Sequence, residues 1–282
     1  MTNFLQLVVV GLSSGFAYAL VGIGMVLIHR TTGIVNFAQG AFAVMGGLVT
    51  ATLVDDVPTF LAGLLAVLLV AAVGGAMGFV ALGRRGRTTL LASLIITLGL
   101  ALLTSAVHLL VFTDVPRTYP RISATSWDVG GVTVDPQYVL IACVSLASAL
   151  LLTFVLRRTI VGNALVACSD SRRAAELVGL SVRSLGVLSF AVSAALGALA
   201  GLLIIPLIPL TYDSDVSIAV NGFAAAAFGG LDSIRGALAG GLVLGIAENL
   251  VIGYIDPQYQ LAIGLVIMLM IISWRSRHEV AT

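Results

Sequence analysis

The chain has 282 residues, 59% of them apolar and only 10% charged, with 31 glycines and a formal net charge of +1. Soluble domains carry about 25% charged residues, so this composition excludes an ordinary water-covered globule, and a charge so near zero gives no electrostatic footing for nucleic acid. All fourteen basic residues are arginine; without a lysine there is neither a P-loop, Gly-x-x-x-x-Gly-Lys-Ser/Thr, nor a Schiff-base nucleophile.

A bilayer crossing needs roughly 20 consecutive apolar residues. Uncharged windows of that kind recur at 4–28, 34–54, 57–83, 88–112, 136–156 and 184–212. A shorter one, 216–231, precedes 236–255, which only Glu248 interrupts, and 257–274 closes the series. Their apolarity is continuous and does not alternate, which implies helices and not a barrel. The expectation is an all-α, polytopic membrane helix bundle of about eight to nine segments, forming a single transmembrane domain over residues 1–282. No basic residue precedes the first window, so it is expected to be a retained helix and not a removed signal peptide. The window 216–231 is short enough either to span or to re-enter.

The arginines orient these segments, because cytoplasmic loops carry the positive excess. With the Arg-rich stretch 157–183 inside and each window crossing once, Arg30, Arg84, Arg85, Arg87, Arg235, Arg275 and Arg277 also fall inside. Only Arg117 and Arg121 fall outside, a split of twelve to two. Eight acids take the outer side: Asp55, Asp56, Asp114, Asp128, Asp135, Asp213, Asp215 and Asp256. This predicts an outer N-terminus and a cytoplasmic C-terminus in a multi-pass plasma-membrane protein.

Small residues recur four apart at Gly11/Gly15, Gly74/Gly78, Gly197/Gly201, Gly236/Gly240 and Gly241/Gly245. Such spacing lets helix backbones approach closely in lipid. These pairs are expected to be seams within one bundle, with 236–245 the candidate for contact with a second subunit. Gly11-Leu-Ser-Ser-Gly15 matches the Gly-x-Ser-x-Gly pattern of serine hydrolases, but it lies inside an apolar window and not at a strand-to-helix turn. His29, His108 and His278 are scattered, and Cys143 and Cys168 lack redox or metal spacing. No catalytic residue and no metal site is expected.

Polar residues inside the windows are the candidates for a pathway. Asn36 and Gln39 are three apart at the start of the second window and would share a helical face, bracing the first hairpin. Glu248 and Asn249 break an apolar helix. Buried ionisable groups in lipid tend to face a cavity or a partner, so Glu248 is either a pathway residue or an interfacial one.

The stretch 157–183 reads as short helices. Asp170 or Ser171 can cap a helix running to about Val178, Gly179 suits the left-handed residue that closes it, and Ser181 can cap the next helix. Ala174, Ala175, Leu177 and Val178 give that helix a small apolar face, too weak to form a core alone. It therefore docks on another protein, or lies against its own bundle or the membrane surface.

Ala174-Ala175-x-x-x-Gly179 resembles the cytoplasmic coupling loop of binding-protein-dependent ABC importers, Glu-Ala-Ala-x-x-x-Gly, with Arg173 in place of the acid. Thr32-Gly-Ile-Val-Asn-Phe-Ala-Gln-Gly40 is similar to the signature after the first helix of branched-chain amino acid permeases of the LivH type. Residues 226–249 resemble that family's glycine-rich C-terminal block, from which Asp232 and Arg235 depart where Gly or Asn and Pro are usual. The resemblance covers essentially the whole chain, with three motifs in the right order.

The resemblance implies an ABC importer permease fold with a coupling segment over 157–185. There, Asp170, Arg173, Ala174, Ala175, Leu177, Gly179 and Leu180 would face an ATPase. It implies two permease subunits forming the pathway, two ABC ATPase subunits carrying ATP and Mg, and an extracytoplasmic solute-binding protein. The chain would hold no cofactor itself. Substrates of the family are branched-chain and other apolar amino acids, and close relatives move urea and short amides. An ion-coupled secondary transporter is the competing class; it would need paired acids deep in the membrane, where only Glu248 stands. An intramembrane enzyme would need a Ser/His, Asp-pair or metal set that the sequence lacks.

Overall fold

In the computed structural model the described residues are 2–83, 90–123 and 125–260, with 262, 264–267, 269, 270 and 273. Arg84, Arg85, Arg87, Arg275, Arg277 and His278 lie outside them. Among the described residues six helices are long and apolar enough to cross a membrane. They are α1 (Thr2–Thr32), α3 (Thr59–Ala81), α4 (Leu90–Phe112), α5 (Pro136–Arg158), α8 (Val182–Ile204) and α10 (Ile234–Tyr254). At 1.5 Å per residue, the 23 residues of α3, α4, α5 and α8 reach about 35 Å, against a hydrocarbon core of about 30 Å.

Two expected windows fold short. α2 (Gln39–Leu53) and α9 (Ser214–Phe228) have 15 residues each, about 22 Å of helix, less than the core thickness. The window 34–54 loses its first turn because residues 34–38 are not helical: the Asn36 side chain accepts from the Ala38 backbone N–H at 3.1 Å and closes a local turn. Ile34 is apolar because it is packed in the core at 4% exposure, not because it continues a helix. The window 184–212 stops at Ile204, just before Pro206 and Pro209, which cannot extend a helix. Of 257–274, the described residues form a 3-10 turn (Pro257–Tyr259) and helical positions beyond it. Among the described residues there are therefore six spanning-length helices, and α2 and α9 fall short of that length.

The layers follow burial. α1 and α8 are the inner helices, 67% and 61% buried over their most apolar stretch, while α3, α4 and α5 are 33%, 22% and 28% buried and turn large apolar side chains outward. Phe60 and Leu110, for instance, are 84% and 83% exposed, which suits a surface wetted by lipid. α2 packs on α8, α3, α9 and α1, so its short length is sheltered by protein. The glycine pairs set these contacts. A Cβ on Gly15 would stand 2.7 Å from the Gly241 carbonyl oxygen, and one on Gly241 would stand 2.7 Å from that of Gly15. Gly240 abuts the Ala225 carbonyl and Phe228 of α9, and Gly236 abuts Gly229. All four glycines of 236–245 are thus taken up within the chain, on α1 and α9, as packing seams.

The two ends of the bundle differ. One end gathers the start of α1, the 113–135 connection and the 205–213 connection. A two-stranded antiparallel hairpin there, β1 (Trp127–Val129) and β2 (Val132–Val134), turns through Gly130 and Gly131 at positive φ and adds a small sheet to the all-α expectation. Gln6 fixes it to α1: its Nε2 donates to the Thr133 carbonyl at 2.9 Å and its Oε1 accepts from the Thr133 N–H at 2.8 Å. Arg121 pairs with Asp135 at 2.6 Å, and Arg117 and Leu210 exchange two backbone hydrogen bonds of 3.0 Å. The opposite end holds the close of α1, the start of α10 and two short helices, α6 (Ile160–Asp170) and α7 (Arg172–Leu177).

Candidate functional site

The α6–α7 segment is built from caps. Thr159 Oγ1 accepts from the Gly162 N–H at 2.9 Å and starts α6 against the end of α5. Asp170 closes α6, so Ser171 alone caps α7, accepting from the Ala174 N–H at 3.2 Å. The helix ends at Leu177, with Val178 as its C-cap. Gly179 then takes φ +83, its N–H donates to the Glu176 carbonyl at 3.1 Å, and the Leu180 N–H donates to the Ala175 carbonyl at 3.0 Å. This left-handed closure satisfies carbonyls that a helix end leaves open. Ser181 caps α8 immediately afterwards.

These turns divide the expected apolar face in two. Ala175 is buried (2% exposed) with Cys168 of α6 and Val182 of α8, and Leu180 and Leu185 pack beside them. Leu177 and Val178 point away, 82% and 75% exposed. Asp170, Arg173, Ala174 and Gly179 are exposed, and Leu180 is half-buried. One small side chain, Ala175, holds α7 to the bundle, while Leu177 and the C-cap Val178 stay exposed.

Inside the bundle, Gln39 joins α2 to α8. Its Nε2 donates to the Ser193 carbonyl at 2.8 Å and its Oε1 accepts from the Ser193 hydroxyl at 2.8 Å. Both amide atoms are used, and Gln39 is fully buried. Asn36 is also fully buried but precedes α2, so the two residues do not share a helical face; Asn36 instead sets the turn into the helix. Asn249 donates to the Gly245 carbonyl one turn back at 3.0 Å, a bond within α10.

Glu248 stands in a different setting. It is fully buried among Tyr18 of α1, Asn221 of α9 and Gln260 of the last segment. Gln260 Nε2 lies 3.4 Å from Glu248 Oε2 and 3.5 Å from the Tyr18 hydroxyl. Glu248 Oε1 and both amide atoms of Asn221 lack hydrogen-bond partners among the described residues. Gly264 lies over the pair, since a Cβ there would stand 2.6 Å from Asn221 Oδ1 and 3.2 Å from Glu248 Oε1. Four elements thus bring polar groups together with acceptor capacity left over, at a place where unsatisfied groups are costly.

Sequence reasoning singled out Glu248 and missed Tyr18, Asn221, Gln260 and Ser193. The lone amide of Asn221 in the apolar run of α9 was a readable signal for one of them. A second unexpected pair, Ser105 donating to Asp215, links α4 to the start of α9.

The family model described as branched-chain amino acid transport system / permease component matches residues 7–272. The chain belongs to this permease family. The branched-chain amino acid permease LivH of Escherichia coli is 27% identical over 285 residues, spanning 95% of this chain and 92% of that protein. The permease BraD of Pseudomonas aeruginosa is 28% identical, spanning 95% and 94%. Among solved structures, PsaBC from Streptococcus pneumoniae in complex with Fab aligns with a TM-score of 0.51 over 96% of this chain and 91% of that one. At 14% identity that likeness concerns the fold alone. The permease is thus a multi-pass membrane protein by family as well as by helix length.

Proposed function

We propose that this permease forms one half of the translocation pathway of an ATP-driven importer for branched-chain or other apolar amino acids. ATPase subunits drive it through α7, and an extracytoplasmic binding protein delivers the solute. The observation that carries this reading is the exposure of Leu177 and Val178 on a helix whose backbone is fixed at both ends by Ser171, Gly179 and Ser181. A rigid backbone with free apolar side chains can transmit a push without deforming. The relatives' transport of branched-chain amino acids supplies the substrate class.

In this reading the α7 end is cytoplasmic, the N-terminus is outside and the C-terminus inside. The gathering of Arg30, Arg157, Arg158, Arg173 and Arg235 at that end of the described chain supports it. Two permease subunits enclose the path, and the ATPase subunits hold ATP and Mg. The candidate pathway residues take separate roles: Gln39 and Asn36 brace α2, Asn249 supports its own helix, and Glu248 with Tyr18 and Asn221 offers acceptors to the ammonium of a zwitterionic solute.

The test is reconstitution of the complete importer in proteoliposomes, with ATP inside and radiolabelled leucine outside. ATP-dependent leucine uptake that requires the binding protein is the expected result. Uptake driven by an ion gradient in the absence of the ATPase would replace this reading, and uptake of urea or an amide alone would redirect the substrate. Glu248→Gln should lower uptake at least tenfold, about 1.4 kcal/mol of lost interaction, while leaving binding-protein affinity and assembly unchanged.

A further inference from the structure

At the α7 end, a cavity of about 460 Å³ opens between the close of α1, the close of α5, α6 and the start of α10. Three guanidinium groups from three helices line it: Arg30, Arg157 and Arg235. Arg30 is half-buried, and none of the three forms an ion pair or hydrogen bond among the described residues. The one acid in the lining, Asp232, lies 3.5 Å from His29 Nδ1 through its Oδ1. Thr153 and Ser233 supply hydroxyls, and Leu156, Val166 and Ile234 form an apolar wall. Ser233 also caps α10, so the positive end of that helix faces the same space. Asp232 and Arg235 are the two positions at which the glycine-rich block departs from its usual residues.

Three arginines against one acid leave the cavity lining with an excess of positive charge, which favours an anion. Guanidinium forks match anions with several oxygens, and the cavity exceeds the size of a single small anion while offering an apolar side. We propose that this pocket binds a phosphate-bearing anion, with the headgroup of an anionic phospholipid as the source that fits its size and apolar wall. Basic pockets between transmembrane helices on the cytoplasmic side have this chemistry. The phosphate chemistry rests on the cavity alone, while the cytoplasmic leaflet as its source rests on the orientation proposed above.

The experiment is native mass spectrometry of the assembled importer, titrated with phosphatidylglycerol, with phosphatidylcholine and, in a separate arm, with inorganic phosphate. The wild type should retain phosphatidylglycerol in preference to phosphatidylcholine. Arg30→Gln and Arg235→Gln should each weaken retention about fivefold and together about 25-fold. Arg158→Gln, an exposed arginine outside the cavity, should change nothing. If the double glutamine variant does not assemble, Arg30→Lys with Arg235→Lys keeps the charge and should bind more weakly than the wild type yet still prefer the anionic lipid. Arginine-dependent binding of inorganic phosphate without lipid preference would assign the site to a soluble phosphate. Retention unchanged in the double variants, or lost equally in Arg158→Gln, overturns the proposal. ATP-driven uptake is read separately, so failure of the pocket and failure of the importer reading are distinguishable.

Discussion

Along the α1–α10 seam, Gly11 and Gly15 meet Gly241 and Gly245 backbone to backbone, with no room for a methyl group. In the α6–α7 segment, by contrast, Ala175 is, among the described residues, the one α7 side chain in a small buried cluster, and Leu177 and Val178 are exposed. Both regions rely on small residues, for opposite ends. In the seam, smallness brings two long helices close enough for dispersion to hold them where lipid offers no hydrophobic drive. In α7, smallness lets Ala175 pack against α6 and α8 while Leu177 is left exposed for something outside the chain. Stability is therefore concentrated in one region and free surface in the other, so substitutions should separate folding from transport.

The strongest way to break this contrast is Gly15→Leu. Its side chain meets the Gly241 carbonyl and the Leu242 Cα, which cannot retreat as a flexible side chain could, so a loss of about 3 kcal/mol is expected. Thermal melting and gel filtration of the purified permease would read it, and an unchanged melting curve would show that the seam is looser than described. Gln39→Leu tests a polar contact in the same interior. It removes both hydrogen bonds that Gln39 makes with Ser193 of α8, one of them from the Ser193 hydroxyl, at a cost of about 2 kcal/mol. Ser193→Ala should reproduce part of that loss, by leaving Gln39 Oε1 unpaired. Leu177→Asp sharpens the other side of the comparison. It should shift stability by less than about 0.5 kcal/mol, yet abolish ATP-driven uptake and reduce recovery of ATPase subunits with the permease. A large drop in melting temperature would mean that Leu177 is part of the core.

Much of this was legible in the sequence, and for identifiable reasons. Crossing a bilayer imposes a length and an unbroken apolar run, so α1, α3, α4, α5 and α10 stand close to where the windows placed them, and α8 does so up to Ile204, where its window runs on past Pro206. Caps are local, so Ser171, Gly179 and Ser181 were readable from residue type and spacing. Apolar runs overstate helix length wherever a core residue such as Ile34 is buried in a turn, which is why α2 begins later than its window. The Gly130-Gly131 pair between Val129 and Val132 was a hairpin signal hidden among stronger membrane signals. What could not be read was pairing across the bundle. Gln39 and Ser193 are 154 residues apart, and the meeting of Tyr18, Asn221, Glu248 and Gln260 depends on how four elements rotate about their axes. Helical periodicity gives a face, but not the neighbour that the face meets.

The most direct measurement places a photo-reactive residue at Leu177 in the complete importer and illuminates it in membranes. If force from the nucleotide-binding subunits enters through α7, the label should form a covalent adduct with an ATPase subunit, and illumination should stop ATP-driven uptake. Adducts confined to lipid or to this chain itself, with uptake undiminished, would contradict that account.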